Sequence, residues 1–359
     1  MACSKFVLPD EMLTEISYRL PAKSLMRCSS VCKSWRSIIS DPEFIKTHSY
    51  YRRIRADEEA SVLMIGESVL TDITRLVCPS YKCYLFRPRQ FTVIGSSNGI
   101  ICLVCDVHCY LWNPTTKQCK ELPRFPRYAK AFEDEDNNYL AFAFDSISDD
   151  YKVVRLLLED TTTGDDVSIV QIYSANSDSW KEIHCPDIIE MCDSTFELGP
   201  VINGTLYAGG CGDIVSLNLH NEVCTVVPLP NSLLDYSGIL DFEGSAGVIF
   251  ESLRKRSEKC LWTLDHIDGE ISWTKKLNIA LGEIILVYSY LGGGLFSGVK
   301  EFLCPDELFL YDYKKKEYKH IPVPVGGLKT FFKYTETLAS IKGSERLRIN
   351  KFGNFLSSP

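Results

Sequence analysis

The segment 95–99, Gly-Ser-Ser-Asn-Gly, is the first candidate for covalent chemistry. It fits the Gly-x-Ser-x-Gly pattern that carries the nucleophilic serine of α/β-hydrolases, where a helix follows the serine directly. Here the next residues, 100–104, are Ile-Ile-Cys-Leu-Val, which is a strand pattern, and Asn-Gly is a strong signal for a hairpin turn. The sequence therefore predicts a β-hairpin at this position and no serine nucleophile.

A second candidate is a crowded set of metal-ligand residue types, Cys102, Cys105, His108 and Cys109. A closed zinc site usually takes two ligand pairs that are separated by a loop. On an extended strand Cys102 and Cys105 face opposite sides. We therefore expect buried thiols here, and we predict neither a metal nor another cofactor.

Histidine could also supply acid–base chemistry, but none of five histidines stands beside a recognisable partner motif: His108, His184, His220, His266 and His320. The triplet Gly292-Gly293-Gly294 lacks the following Lys-Ser/Thr of a phosphate-binding loop. The sequence therefore predicts no catalytic residue and favours a protein that binds other molecules.

The first 45 residues have the periodicity of short helices. Apolar residues recur at helical intervals from 8 to 20, and Pro9 suits a first helical turn. Pro21 ends this helix and can open a second one, and a third contains Trp35 and ends at Asp41-Pro42. Three short helices bury little surface. We expect their remaining apolar residues to face a partner.

These residues resemble an F-box, the motif that binds the Skp1-type subunit of a cullin ubiquitin ligase. The resemblance covers roughly residues 4–48 and lies in the segments 8–11, 20–25, 31–35 and 41–44. It implies that nine residues lie at or under a Skp1-binding face: Leu8, Pro9, Ile16, Leu20, Pro21, Ser24, Leu25, Cys32 and Trp35. Two alternatives stay open. Trp35 could hold the helices together without touching a partner, and the helices could be a cap that only packs on the body.

Composition limits the remaining classes. The 359 residues are 45% hydrophobic, enough for a large core and two domains, and the net charge of −8 argues against nucleic-acid or anionic-membrane binding. The sequence has neither a signal-peptide core nor an apolar run long enough to cross a bilayer. In such a chain the fifteen cysteines are expected to be reduced and mostly buried. We expect a cytoplasmic or nuclear protein.

Beyond residue 50 a strand–turn–strand unit repeats. In four copies a polar residue that opens a turn stands six positions before an aromatic residue or cysteine: Asn113 and Cys119, Ser174 and Trp180, Asn218 and Cys224, Asp312 and Tyr318. A fifth copy, Asp265 and Trp273, has two extra turn residues. The copies recur at about 45 residues, which is typical of propeller blades. One longer gap contains the polar insert at 133–138. The fold predicted is a three-helix F-box followed by an all-β propeller of about six blades.

The same region resembles the F-box-associated domain of plant proteins, a group that includes pollen S-locus F-box proteins. The matching segments are 95–102, 111–117, 142–145, 148–155, 170–174 and 179–181. The pair Gly209-Gly210 is kelch-like, but the other blades lack it. The resemblance implies that the propeller holds a substrate. The domains predicted are an F-box (1–48), a linker with the first propeller strands (49–90), the propeller (91–340) and a tail (341–359).

Together these features predict the substrate-recognition subunit of an SCF-type ubiquitin ligase. Its F-box would bind a Skp1-like protein and, through it, cullin, while the propeller would bind an unidentified protein target. Loops of one propeller face, with the insert at 124–139 among them, are the predicted contact region. Two alternatives remain: an F-box protein that only sequesters its target, and a propeller enzyme or small-ligand-binding protein with a helical cap.

Overall fold

The structure, a computed structural model, describes most of the chain. The described residues are 9–54, 61–66, 77–78, 81–86, 92–105, 108–126, 138–159, 167–185, 197–209, 213–230, 236–252, 255–267, 270–280, 286–292, 294–299, 307–322 and 328–346.

The N-terminal region contains the three predicted helices and one more. The helices are α1 (Asp10–Tyr18), α2 (Ala22–Cys28), α3 (Lys33–Ile39) and α4 (Pro42–Ile54). Pro9 and Pro21 directly precede α1 and α2, as expected of residues with a fixed φ. The Asp41-Pro42 pair, predicted only to end α3, also starts α4, because the Asp41 carboxylate accepts a hydrogen bond from the Phe44 N–H at 2.9 Å. No helix in the described ranges is long and apolar enough to cross a membrane.

The remainder of the described chain is β-structure. The strands are β1 (Ser61–Gly66), β2 (Val77–Cys78), β3 (Tyr81–Phe86), β4 (Thr92–Ser97), β5 (Ile100–Cys105), β6 (His108–Asn113), β7 (Gln118–Glu121), β8 (Asn138–Asp145), β9 (Asp150–Glu159), β10 (Val167–Ser174), β11 (Ser179–Ile183), β12 (Glu197–Ile202), β13 (Thr205–Gly209), β14 (Ile214–Asn218), β15 (Val223–Val227), β16 (Tyr236–Phe242), β17 (Ser245–Ser252), β18 (Lys255–Ile267), β19 (Glu270–Ala280), β20 (Leu286–Gly292), β21 (Leu295–Val299), β22 (Glu307–Asp312), β23 (Glu317–Pro322), β24 (Leu328–Tyr334) and β25 (Glu345–Arg346).

Within the described ranges these strands form six sheets, which we number as blades. Blade 1 is β4–β7 with β25 at its outer edge, blades 2 to 5 are β8–β11, β12–β15, β16–β19 and β20–β23, and blade 6 combines β24, β1, β3 and β2. The inner strands β4, β8, β12, β16, β20 and β24 contact one another in this order, and β24 contacts β4. The prediction of an all-β propeller with about six blades is confirmed.

Blade 6 closes the ring with strands from both ends of the propeller sequence. Its inner strand β24 pairs with β1 in antiparallel orientation, and β1 then pairs with β3 in parallel. This pairing joins residues about 270 positions apart, for example Leu63 and Phe332. Because each blade needs a neighbour on both faces, closure removes the exposed faces that an open array would leave.

The core lies between neighbouring blades. Leu111 of blade 1 packs in one buried cluster with Val153 of blade 2. Leu156 of blade 2, on the opposite face of β9, belongs to the next cluster with Leu217 of blade 3. Alternate residues of one strand thus serve two interfaces, which explains why β9 has consecutive apolar residues at Val153-Val154 and Leu156-Leu157.

Three inner hairpins turn on a two-residue sequence that ends in glycine. Both turn residues have positive φ at Asn98-Gly99 (45° and 73°), Asn203-Gly204 (49° and 79°) and Glu243-Gly244 (52° and 85°). This geometry is that of type I′ hairpin turns. The predicted hairpin at 95–104 is confirmed, since β5 follows Gly99 directly and no helix begins there.

The outer hairpins carry the repeated turn that the sequence pattern predicts. The opening side chains accept backbone hydrogen bonds two or three residues on; Asn113 Oδ1, for example, accepts from Thr115 N–H at 2.8 Å. The fourth residue after each turn-opening residue has positive φ, at Lys117, Asp178, Glu222 and Lys316. The strand register pairs Trp112 with Cys119, Tyr173 with Trp180, Leu217 with Cys224 and Tyr311 with Tyr318. The predicted repeat is confirmed.

The repeated outer-strand position also joins neighbouring blades. The Trp180 indole N–H of blade 2 donates to the carbonyl oxygen of Pro123 at 2.8 Å, and Trp273 of blade 4 donates to that of Pro228 at 2.7 Å. Between blades 2 and 3 the corresponding residue is Cys224. It forms a disulfide with Cys185, which lies two residues after the end of β11.

The expectation that the cysteines are reduced is wrong for the pair Cys185–Cys224. The two residues are 39 positions apart, and only the stacking of blades brings their Cα atoms to 6.0 Å. Six described cysteines are free: Cys28, Cys32, Cys102, Cys109, Cys119 and Cys260. Cys102 and Cys109 are buried with their sulfur atoms 3.5 Å apart, and burial raises the pKa of the Cys102 thiol.

Candidate docking surface

The four N-terminal helices share a small core. Ala22 and Leu25 of α2, Ile39 of α3 and Phe44 of α4 are buried together. Leu338, which follows the last inner strand of the propeller, completes this cluster and is 4% exposed. The helical region is therefore closed by a side chain from almost 300 residues further along the chain.

Five large hydrophobic side chains of this region are exposed to solvent, and two of them, Tyr50 and Tyr51, lie near the end of α4. Met12 and Ile16 lie one turn apart on α1 and are 53% and 45% exposed, and Val31, between α2 and α3, is 72% exposed. Met12 and Ile16 form a continuous patch because residues four apart share a helix face. An apolar patch on a small, well-packed unit is typical of a protein-binding surface.

The nine residues predicted to lie at or under a partner face occupy different depths. Pro9, Ile16 and Cys32 are exposed, Leu20, Pro21, Ser24 and Trp35 are half-buried, and Leu25 is fully buried; Leu8 lies outside the described residues. Exposed members can touch a partner, while Leu25 supports the surface from below. Sequence reasoning left Met12 and Val31 out of the site. Met12 could have been included, because it lies one turn before Ile16 in the same stripe.

The helices sit on the propeller face that carries the tight turns. Lys46 of α4 lies 3.7 Å from the Asp149 carboxylate, in the turn between β8 and β9. The Lys23 ammonium lies 3.3 Å from the carboxylate of Glu336, just after β24. Both positions follow the ends of inner strands. Inner and outer hairpins therefore lie on the helix side of the ring, since strands alternate in direction.

The longer connections leave the ring on the opposite side. In blade 1, β7 ends there at Glu121, and the next inner strand, β8, begins there at Asn138. The predicted contact insert at 124–139 joins these two strand ends, and its residues 127–137 lie outside the described residues. The described ends of this connection, Glu121 and Asn138, therefore lie on the opposite side of the ring from the helix contacts at Asp149 and Glu336.

Ionisable side chains in the described propeller form pairs with a structural role. Asp145 at the end of β8 lies 3.3 Å from both the Lys152 ammonium and the His220 ring, so that it ties blade 2 to blade 3. Burial alone would raise the pKa of Asp145. Hydrogen bonds from Ser148 and the Ile147 N–H, together with Lys152, outweigh burial and lower the pKa to about 2.

The remaining histidines, for which the sequence predicts no catalytic role, occupy separate positions. His108 pairs with Glu121 at 2.9 Å, and His184 is exposed; the side chains of His266 and His320 lie outside the described residues. Among the described side chains, His, Cys, Asp and Glu form no group of three that could hold a metal ion.

Comparison with known families matches both parts of the chain. Residues 68–336 match the F-box associated beta propeller domain, and residues 6–47 match the F-box domain. The first match alone covers well over half of the chain.

Two curated relatives from Arabidopsis thaliana span most of the chain. F-box protein CPR1 is 25% identical over 82% of this chain and 78% of its own length. F-box/kelch-repeat protein At3g23880 is 30% identical over 76% of this chain and 79% of its own length. The chain therefore belongs to the plant family of F-box proteins in which the F-box is followed by an F-box associated β-propeller domain.

Proposed function

We propose that this chain is the substrate-recognition subunit of an SCF-type ubiquitin ligase. In this role the F-box helices bind a Skp1-like protein and, through it, cullin, and the propeller binds a protein target. The observation that carries the proposal is the exposed Met12–Ile16 patch on α1 of a matched F-box domain. The family match supports an adaptor role.

An adaptor of this kind contributes proximity and needs no nucleophile of its own. Holding a target lysine near a ubiquitin-charged partner raises its effective concentration, and the other subunits perform the transfer. The paired, structural environment of Asp145, Lys152 and His220 is compatible with this non-catalytic role.

The target is proposed to bind the propeller face opposite the helices. That side carries the connections between blades, and loops on a rigid scaffold are where binding specificity usually lies. Binding there would leave the α1 patch free for Skp1, so that one chain could hold both partners together. The same proposal places the protein in the cytoplasm or nucleus.

A double substitution tests the Skp1-binding part. Met12→Ala with Ile16→Ala removes apolar contact area from an exposed surface, so the fold should keep its stability. Interface anchors commonly cost about 2 kcal/mol or more when truncated, roughly a thirtyfold loss of affinity. The measurement is titration of the purified full-length chain with a plant Skp1-like protein, together with a thermal melt.

The matched control is Val223→Ala with Val226→Ala, which removes two exposed apolar side chains from β15. It should bind Skp1 as tightly as the parent. Equal affinity of the α1 variant and this control would contradict the assignment of the docking patch.

A second experiment addresses the target. In a reconstituted ligase, a target captured through the propeller should be ubiquitinated by the parent complex and left unmodified with the Met12→Ala/Ile16→Ala chain. A target that binds the propeller but is never modified in the parent complex would favour sequestration.

A further inference from the structure

The segment after the last inner strand, residues 335–346, contacts both parts of the molecule, and we call it the bracket segment. Its apolar side chains alternate between two cores. Leu338 is buried among the F-box helices, whereas Ala339 and Ile341 are buried in the cluster between blades 1 and 2. One extended strip of chain thus belongs to two hydrophobic cores at once.

Hydrogen bonds fix the bracket segment to blade 1. The side-chain amide of Asn113 donates to the carbonyl oxygens of Thr337 and Ala339, at 3.2 and 2.8 Å. All three residues are buried, so these bonds are protected from competing water. Beyond them, Glu345 pairs with Cys119 in the register of β25 and β7.

The same segment approaches the inner hairpin of blade 1 closely. A Cβ atom added at Gly99 would lie 2.3 Å from Thr337 Cγ2 and 2.5 Å from the carbonyl oxygen of Thr335. Gly99 also has a φ of 73°. A glycine is therefore needed there both for the turn and for the bracket segment to lie flat against it.

The opposite side of the bracket segment holds the F-box helices. The Thr337 hydroxyl lies 2.9 Å from that of Ser49 in α4, and both residues are buried. Glu336 accepts a hydrogen bond from the Lys23 N–H at 3.4 Å and pairs with its ammonium group. By contrast, the direct pair Lys46–Asp149 is solvent-exposed, and such pairs contribute little.

From these contacts we infer that the bracket segment joins the F-box helices and the propeller into one rigid body. It thereby sets the orientation of the target-binding face relative to the α1 patch. Leu338, Thr337 and Glu336 are positioning residues: they need not touch Skp1 or the target. The orientational part rests on the proposed function, whereas the rigid connection does not.

Hydrogen exchange of the full-length chain tests the connection. Leu338→Asp places a charge in the F-box core, so amides of residues 10–54 should exchange at least tenfold faster. Amides of 246–250 in β17, whose buried cluster contains no bracket residue, should be unchanged, and the control Leu338→Met should behave as the parent. Equal protection of 10–54 in Leu338→Asp and Leu338→Met would overturn the inference.

A cross-link provides a test that does not depend on a destabilised variant. In Ser49→Cys/Thr337→Cys, glutathione disulfide should oxidise the two thiols to a disulfide and be reduced to two glutathione molecules. The linked chain should form readily and bind Skp1 within twofold of the unlinked chain. Failure to link, or loss of Skp1 binding on linking, would count against a bracket that is present in the working protein.

Lengthening the covalent connection separates the bracket segment from the linker. Ten Gly/Ser residues inserted between Ile54 and Ser61 should leave exchange in 10–54 and Skp1 affinity unchanged, because the bracket segment holds the helices. Faster exchange after insertion would assign the positioning role to the linker. If the parent chain fails to bind any Skp1-like protein, the proposed function fails, while the exchange and cross-linking results still decide the inference.

Discussion

At the residue scale, two residues of the predicted site differ in whether a partner could contact them. Ile16 is exposed on α1, whereas Leu25 is fully buried in the helical core. Leu25→Ala should lower the free energy of unfolding by about 2–5 kcal/mol, because it opens a cavity. Ile16→Ala should weaken Skp1 binding and leave stability nearly unchanged. Urea unfolding of both variants beside Skp1 titration separates the roles; equal stability losses would mean that Ile16 is also a core residue.

The sequence alone does not show which of these two residues is buried and which is exposed. Leu25 and Ile16 both belong to helical apolar stripes, and the periodicity says only that each faces something other than water. Leu25 is buried because Leu338 and Phe44 complete its surroundings, and Leu338 is remote in sequence. The residue types of the site could be predicted, but not which of them a partner can reach.

A second residue-scale prediction concerns Asp145 and pH. Its pKa is lowered from 3.8 to about 2 in the folded chain, so its charged form stabilises the fold above the unfolded pKa. That contribution, up to about 2 kcal/mol, should be lost as pH falls from about 4 toward 2. Asp145→Asn should therefore be less stable at pH 7 and approach the parent as pH falls. Urea unfolding across this range would contradict the prediction if the difference stayed constant.

At the element scale, tryptophans on the outer strands hold blades together. Trp180 packs against Phe125 and Tyr173, with ring centroids at 5.0 and 5.4 Å, and bonds to Pro123. Trp180→Phe keeps much of the packing and should cost about 1 kcal/mol for the hydrogen bond. Trp180→Ala should cost more, since it also removes the ring. Thermal unfolding checks the order; two variants as stable as the parent would refute the role of Trp180.

The disulfide at the equivalent position permits a chemical test. Alkylation of the native, unreduced protein should leave Cys185 and Cys224 linked and unlabelled, while exposed Cys32 reacts quickly. The buried thiols Cys102 and Cys109 should react only after unfolding. Rapid labelling of Cys224 in the purified protein would show that its thiol is free. Peptide mass spectrometry gives the answer directly.

Turns and hairpins formed by residues that are close together in the sequence are the most predictable elements. The turns at Asn98-Gly99 and Asn203-Gly204, and the pairing of Tyr173 with Trp180, follow from residue type and spacing. The start of α4 was missed because Asp41-Pro42 fits a helix end as well as a helix beginning. Contacts between distant segments, such as Cys185 with Cys224, leave no periodic signal in the sequence.

At the scale of the whole molecule, segments near the end of the chain contact segments near its beginning in two places. The strands β1 and β24 close the ring, and the bracket segment then returns across the tight-turn face to the F-box helices. The division into F-box, propeller and tail remains a useful prediction, but residues after β24 pack in both cores. The helices contact one face of the ring, and the insert joins strand ends on the other, so the proposed function would place the two partners on opposite sides of the ring.

The proposed adaptor role depends first on docking to Skp1, which co-purification with a plant Skp1-like protein and cullin measures. We expect the full-length chain to bring down both proteins and the equally folded Met12→Ala/Ile16→Ala chain to bring down neither. If a folded full-length chain binds none of several Skp1-like proteins, the adaptor role is wrong and the helices are a structural cap.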